Sequence, residues 1–398
     1  MGHFTLVEGF LVILIIALTA TVIVRRFDLP IILGYVLVGT LVGPNTLNWL
    51  SNTVVVREFA ELGVTFLMFT IGLEFSLPKL LALRRPAFVL GGLQLLLSIS
   101  ITALIGRFLL NISVDAAIVI GAIIAMSSTA IVVKQLLQQQ ELHSKHGRNT
   151  IGILLFQDIA VIPILIFISS LGHGVQQSVW LMLLMAVLKG VLAIVIIFSA
   201  GRWLLKPLFK MISATKVIEL FTLCVLFTAV GSAWLTNALG LSYALGAFLS
   251  GIMLAECEFK TQINTEIRPF RDLLLALFFI SVGMLVDVKL WPGTWQWILL
   301  VVLGLMVGKG LLITLLCRFF GQTSATAVRT GVTLAQGSEF GFAILAIARS
   351  HHIFPVAWGQ SILAALLISF LISPVLIRFS KELCKINFYN WALKKMRA

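Results

Sequence analysis

An aspartate stands in the middle of an apolar stretch long enough to cross a bilayer. The stretch runs from Asn149 to Ser170 and reads NTIGILLFQDIAVIPILIFISS. At about 1.5 Å of rise per residue it spans the hydrocarbon core. Gln157 and Asp158 lie near its centre, and Pro163 follows five residues after the carboxylate. A charge at that depth is costly unless water, a counter-charge or an ion meets it, so Asp158 reads as functional. The plainer alternative is a structural ion pair or a carboxyl kept neutral. Pro163 has no N–H, so it frees the carbonyl of Ile159 in the turn beside Asp158 and is expected to act as a helix breaker. A free carbonyl next to a carboxylate suits a cation; against lipid it would be an uncompensated cost.

Other stretches share this character. Of the 398 residues, 60% are hydrophobic and 11% charged, and the mean hydropathy is +1.08. That composition excludes a soluble globular domain and implies a polytopic all-α membrane protein. The first apolar run is followed by Arg25-Arg26-Phe27 where a small-residue cleavage site would stand, so no cleavable signal is expected. The scattered Cys224, Cys257, Cys317 and Cys384 support neither a disulfide framework nor a zinc site. Thirteen spanning segments are expected, at roughly 5–24, 29–43, 55–76, 87–110, 114–137, 149–171, 179–204, 217–236, 240–256, 270–287, 295–317, 326–348 and 357–379. The transmembrane region then occupies 1–380, and 381–398 is a short basic tail.

The net charge of +13 could suggest nucleic acid, but its distribution points to topology. One set of alternate loops plus the C-terminus carries most of the Lys and Arg. The other set carries only Arg57, Arg107, Lys289 and Arg349. Positive loops mark the cytoplasm, so the N-terminus is expected outside and the C-terminus inside.

Two further expected spans are interrupted. The fifth contains Met126-Ser127-Ser128-Thr129-Ala130, and the twelfth contains Ala335-Gln336-Gly337-Ser338-Glu339-Phe340-Gly341. Ser, Thr and Gly in mid-membrane loosen a helix, with Gly337 and Gly341 as the expected breakers. The two segments lie an odd number of spans apart and so cross in opposite directions. Paired interruptions of this kind point to inverted repeats whose broken helices cross at the midplane; close packing through small residues is the alternative. Lys309, deep in the eleventh span, and Glu339, at the second interruption, are expected to neutralise the exposed helix ends. Pairing of Lys309 with Asp158 is equally open. Lys189 is expected to pack with its amine satisfied by neighbours or at an interface, Glu61 and Glu74 to be interfacial, and His351 and His352 to lie in a solvated outer loop.

FQDIAVIP at 156–163, SSTAIV at 127–132, FFISVGM at 278–284, AQGSEFGF at 335–342 and GLEFSLPKL at 72–80 together resemble the monovalent cation:proton antiporter-2 (CPA2) family. The likeness is nearest to the membrane domain of Kef-type potassium-efflux antiporters and covers nearly the whole chain. It implies an NhaA-type fold, with a core of segments four to six and eleven to thirteen moving against a dimerisation domain of segments one to three and eight to ten. By the same resemblance Asp158 is the ion- and proton-carrying residue, Gln157 the residue that precedes it in Kef-type members, and Lys309 the core lysine. A homodimer in the bacterial inner membrane is implied. Kef-type proteins usually continue into a cytoplasmic nucleotide-binding regulatory domain. This sequence has no dinucleotide fingerprint, and its short basic tail suggests a truncated or naturally short relative. The stretch 257–272, CEFKTQINTEIRPFRD, resembles the family's regulatory loop and is expected to be a charged connector here.

The expected mechanism is alternating access. Asp158 binds either a proton or a dehydrated monovalent cation, with Ser127, Ser128, Thr129, Gln157 and broken-helix carbonyls as neutral ligands. Neutral oxygens favour K⁺, with Na⁺ as the other candidate. No cofactor and no catalytic residue are expected. A cation channel and a Na⁺-coupled organic-anion transporter of related fold are the rival readings. An intramembrane protease is disfavoured because it needs two facing aspartates or an activated Ser, whereas Asp158 is the one aspartate at mid-depth and GSEFG is not GxSxG.

Overall fold

In lipid every backbone N–H and C=O must find a partner within the chain, which favours helices. The computed structural model describes residues 31–47, 53–74, 82–83, 85–171 and 179–382, with scattered positions between 11 and 26. Among the described residues it is helical, with no strand. In chain order the helices are α1 (Ile31–Val42), α2 (Thr53–Glu74), α3 (Gly92–Phe108), α4 (Val114–Ala125), α5 (Thr129–Gln138), α6 (Lys145–Leu171), α7 (Val179–Ala200) and α8 (Lys206–Thr215). They continue with α9 (Ile218–Ala238), α10 (Tyr243–Ala255), α11 (Lys260–Met284), α12 (Trp291–Leu303), α13 (Lys309–Phe319), α14 (Ser324–Thr333), α15 (Glu339–Ser350) and α16 (Val356–Arg378).

Wider π-helical turns lead into α3 at Arg85–Gly91, join α7 to α8 at Gly201–Leu205, and join α12 to α13 at Gly304–Gly308. Among the described residues, six helical runs are long and apolar enough to cross a membrane: Arg85–Phe108, Lys145–Ile168, Leu188–Thr215, Ile218–Ala238, Val288–Phe319 and Val356–Arg378. The fifth and twelfth expected spans divide into the pairs α4/α5 and α14/α15, each too short to cross alone. Shorter apolar helices stand at Ile31–Val42, Leu62–Leu73, Tyr243–Ala255 and Asp272–Met284. Most of the first expected span, residues 75–80 of GLEFSLPKL and the tail from 383 lie outside the described residues, as do the side chains of Glu61 and Glu74.

The chain divides into two compact units. The first comprises 1–22, 34–77 and 161–285. Its helices touch backbone to backbone through glycine. On α1, a Cβ at Gly39 would overlap the Ile280 carbonyl of α11, and one at Gly283 would overlap the Val36 carbonyl, with Gly39 Cα at 2.9 Å. Thr40 Oγ1 donates to the Gly283 carbonyl at 3.2 Å. The same arrangement recurs between α2 and α10, where Gly72 and Gly251 each leave no room for a Cβ, at 2.9 Å from the other's Cα. Of the stretch 257–272 only the first three residues form a connecting turn: from Lys260 it makes the first turns of α11, with Pro269 inside the helix.

The second unit comprises 23–33, 78–160 and 286–398. Here α3 packs on α4, and Gly121 lets α4 approach α3 so closely that its Cβ would stand 2.9 Å from Ile99 Cα. Gly91 does the same at α6, where its Cβ would meet Phe156 Cβ at 2.7 Å. Between α5 and α6, Glu141 accepts from Arg329 of α14 and lies 3.4 Å from His146 Nε2. His146 Nδ1 in turn pairs with Ser144 Oγ at 2.8 Å.

Candidate functional site

The two interruptions bond directly to each other. After Ala125 the backbone of Met126 turns extended, and Ser128 restarts the chain as α5 by accepting the Ile131 N–H on its hydroxyl. Likewise Ser338 starts α15 by accepting the Phe340 N–H at 2.9 Å. Ser and Thr compete with helical bonding in mid-chain and favour caps, which is why each break falls at such residues. Across the gap, Ser128 N–H donates to the Gly337 carbonyl at 2.9 Å, and Ser127 Oγ donates to the Leu334 carbonyl at 2.8 Å. Gly337 N–H donates to Ser369 Oγ of α16 at 3.0 Å, and a Cβ there would collide with Leu366.

Four helix ends therefore meet in one place, and three charged side chains attend them. The C-terminal end of a helix carries partial negative charge and the N-terminal end partial positive charge. Lys309, 2% exposed, donates to the Met126 carbonyl at 2.7 Å, to the Gln336 carbonyl and to Ser127 Oγ at 3.3 Å. It thus serves the C-terminal ends of both α4 and α14. Glu339 is the first residue of α15 and is buried there. Asp158, half-buried on α6, accepts from Thr129 Oγ1 at 3.3 Å, and Thr129 is the first residue of α5. Lys309 directly follows the π-helical turn Gly304–Gly308; such turns, which widen the helix, occur often at functional sites.

Gln157 faces away from solvent and is fully engaged. Its Oε1 accepts the Ser127 N–H at 2.9 Å, and its Nε2 donates to the Ala125 carbonyl at 3.0 Å and to Gln94 Oε1 at 2.8 Å. Gln94 belongs to none of the sequence motifs. It is a single amide in the apolar run of α3. Burial there is costly for the same reason as at Asp158, but the signal is weaker, because a neutral amide costs less to bury than a charge.

Two expected breakers do not break helices. The chain stays helical through Pro163 from Lys145 to Leu171, because a proline inside a helix removes one bond without ending it when the neighbours hold it. Gly341 lies inside α15, where its missing side chain admits Leu366 and Ile123. Only Gly337 sits in an interruption. Lys189 is exposed on α7, and His351 and His352 form the turn after α15.

The sodium/hydrogen exchanger transmembrane family matches residues 12–379 of the sequence. The chain belongs to that family. This exchanger-family chain is 41% identical over 367 residues to a protein of Alkalimonas amylolytica carrying the name K(+) efflux antiporter KefB, covering 92% of this chain and 55% of that protein. It is 41% identical over 317 residues to K(+) efflux antiporter 2, chloroplastic, of Arabidopsis thaliana, covering 78% of this chain and 27% of that protein. The chain thus spans about half the length of the first relative and about a quarter of the second. Its fold is similar to that of the sodium proton antiporter MjNhaP1 from Methanocaldococcus jannaschii, with a TM-score of 0.68 at 15% identity over 94% of this chain and 96% of that one. The family is one of transporters rather than enzymes.

Proposed function

We propose that this protein is a secondary active transporter exchanging a monovalent cation, K⁺ in preference to Na⁺, for H⁺ by alternating access. The observation that carries the reading is the meeting of two broken helix pairs beside a mid-span carboxylate. Such a site holds an ion with helix ends and one titratable group. A proton and a cation compete for Asp158, so each excludes the other. The Thr129 hydroxyl is the neutral partner at the carboxylate. Gln157 and Ser127 act mainly by holding the first interruption in place, because their polar atoms already bond across it. Lys309 and Glu339 compensate the helix ends, which leaves Asp158 as the titrating group and makes the exchange one for one.

The division into two units supports an NhaA-type arrangement, in which the unit carrying Asp158 and Lys309 is the moving core and the glycine-packed unit is the dimerisation domain. On this reading the whole region 1–380 is the exchanger and 381–398 a basic cytoplasmic tail. The N-terminus is outside, the protein is a homodimer in a bacterial inner membrane, and a cytoplasmic regulatory domain or subunit is a further partner. K⁺ is favoured by the two relatives named for K(+) efflux and by the neutral Thr129 hydroxyl beside a single carboxylate.

The deciding experiment reconstitutes the purified chain in liposomes under a pH gradient and compares K⁺, Na⁺ and Li⁺. Cation-dependent dissipation of the gradient, strongest with K⁺, is the expected result. No dissipation with any of the three, or unitary channel currents, overturns the proposal.

A further inference from the structure

Gln94 lies outside every motif that marks the site, yet it joins three of the elements that build it. Its Nε2 donates to the Ala125 carbonyl at 3.0 Å and to Ser98 Oγ at 3.1 Å, and its Oε1 accepts from Gln157 Nε2 at 2.8 Å. The residue is 0% exposed. Its reach depends on the close approaches at Gly91 and Gly121, which bring α6 and α4 onto the N-terminal part of α3.

The chain of bonds has one sense only. The Ser127 N–H requires an oxygen, so Gln157 must present Oε1 to it. The Ala125 carbonyl requires donors, so both amides turn Nε2 towards it. Gln94 Oε1 then takes the second hydrogen of the Gln157 amide. Reversing either amide would set oxygen against the Ala125 carbonyl or nitrogen against the Ser127 N–H, and buried polar atoms without complementary partners are costly. The result at the first interruption is a backbone fixed from Ala125 to Ser127, one and two residues before the Ser128 cap and the Thr129 hydroxyl that meets Asp158.

We infer that Gln94 is a positioning residue for cation binding, acting through Gln157 to hold the Ser127–Thr129 turn against Asp158. It touches neither the carboxylate nor the ion. The inference rests on the exchange reading above, since it assigns a role in the affinity of that same site.

The test uses the purified full chain in liposomes, with the KM for K⁺ and kcat measured separately for wild type, Gln94→Met, Gln157→Met and the double variant. Gln94→Met keeps the length of the side chain and removes every bond. It is expected to raise KM about tenfold, the scale on which residues orienting ion ligands act, with kcat within about twofold and the preference for K⁺ over Na⁺ reduced. Because Gln94 acts through Gln157, the double variant should be no worse than Gln157→Met alone; independent residues would show multiplied effects. Gln94→Leu also removes every bond and adds no titratable group. It should raise KM in the same direction, and it is the variant to read if Gln94→Met does not fold. A wild-type KM in a folded Gln94 variant, or multiplied effects in the double variant, overturns the role of Gln94. Failure of the wild-type protein to exchange K⁺ for protons overturns the exchange reading instead.

Discussion

Lys309 reaches the carbonyl of Met126 at 2.7 Å, across 183 positions of sequence. With its second bond, to Gln336, one ammonium holds two half-helix ends that would otherwise present unpaired carbonyls inside the protein. Lys309→Met should therefore destabilise the fold by about 2–6 kcal/mol, taking ~1–3 for each orphaned acceptor. The loss is read from unfolding in detergent. Transport should stay one for one. In liposomes clamped at several potentials, the wild-type point of zero flux at fixed cation and pH gradients should not move with voltage. A shift of the size that two-for-one exchange requires would make Lys309 a proton carrier and overturn its assignment as a compensator of helix ends.

Asp158→Asn keeps the shape that Thr129 Oγ1 meets and removes the group that titrates. Cation-driven proton movement should fall to the background of empty liposomes, while the melting temperature in detergent stays close to that of wild type. Sustained dissipation of a pH gradient by the folded Asn variant would remove Asp158 from the mechanism.

The Glu141–Arg329 pair ties the α5–α6 connection to α14. Burial raises the Glu141 pKa, but the hydrogen bond and charge of Arg329, together with the charges of His146 and Lys381, outweigh it, and the carboxyl is held below its ordinary value of 4.5. A depressed folded-state pKa gives stability that is present above the unfolded value and is lost as pH falls through the folded one. Thermal stability of the wild type should therefore drop as pH is lowered below about 4.5. Arg329→Met should cost about 1–3 kcal/mol at neutral pH, as for a polar partner left unpaired, and should flatten that acid dependence. An unchanged acid limb in Arg329→Met would show that groups other than the Glu141–Arg329 pair set it.

Gly72 and Gly251 leave no space between α2 and α10. Gly72→Ala drives a methyl into the Phe248 carbonyl and should cost about 1–3 kcal/mol, the usual range for overpacking. By contrast Gly231 has nothing within 4 Å of a built Cβ, so Gly231→Ala should leave the melting temperature near wild type or raise it. Equal effects of the two substitutions on thermal unfolding would contradict the packing described for α2 and α10.

What could be read from the chain follows the strength of each physical constraint. Asp158 and Lys309 stand out because a charge deep in an apolar run is too costly to keep without a use. The two breaks, one of Ser and Thr and one of Gly and Ser, stand out because they come as a pair. Pro163 misleads, because a proline alone does not say whether neighbours will carry the helix past it. Gly341 misleads for the related reason that a glycine serves close packing as well as it serves a break. The stretch 257–272 is charged enough to resemble a connector, yet its spacing tolerates the opening turns of α11. Gln94 stays hidden because its partners beyond its own helix, Ala125 and Gln157, come from two other helices, and no local pattern announces such a meeting.

The seat between Gly39 and Gly283 also has a bearing on how the protein is made. Thr40 and its acceptor at Gly283 are 243 positions apart, so the partner of α1 does not exist when α1 leaves the ribosome. At about 5–20 residues per second, that wait is on the order of tens of seconds, and the tight α2–α10 contact waits nearly as long. During that interval the glycine faces of two early helices lack the surfaces they meet in the finished fold. Assembly of the first unit is thus a late event in synthesis, and a ribosome stalled before α11 would leave α1 without the surface it was shaped to meet.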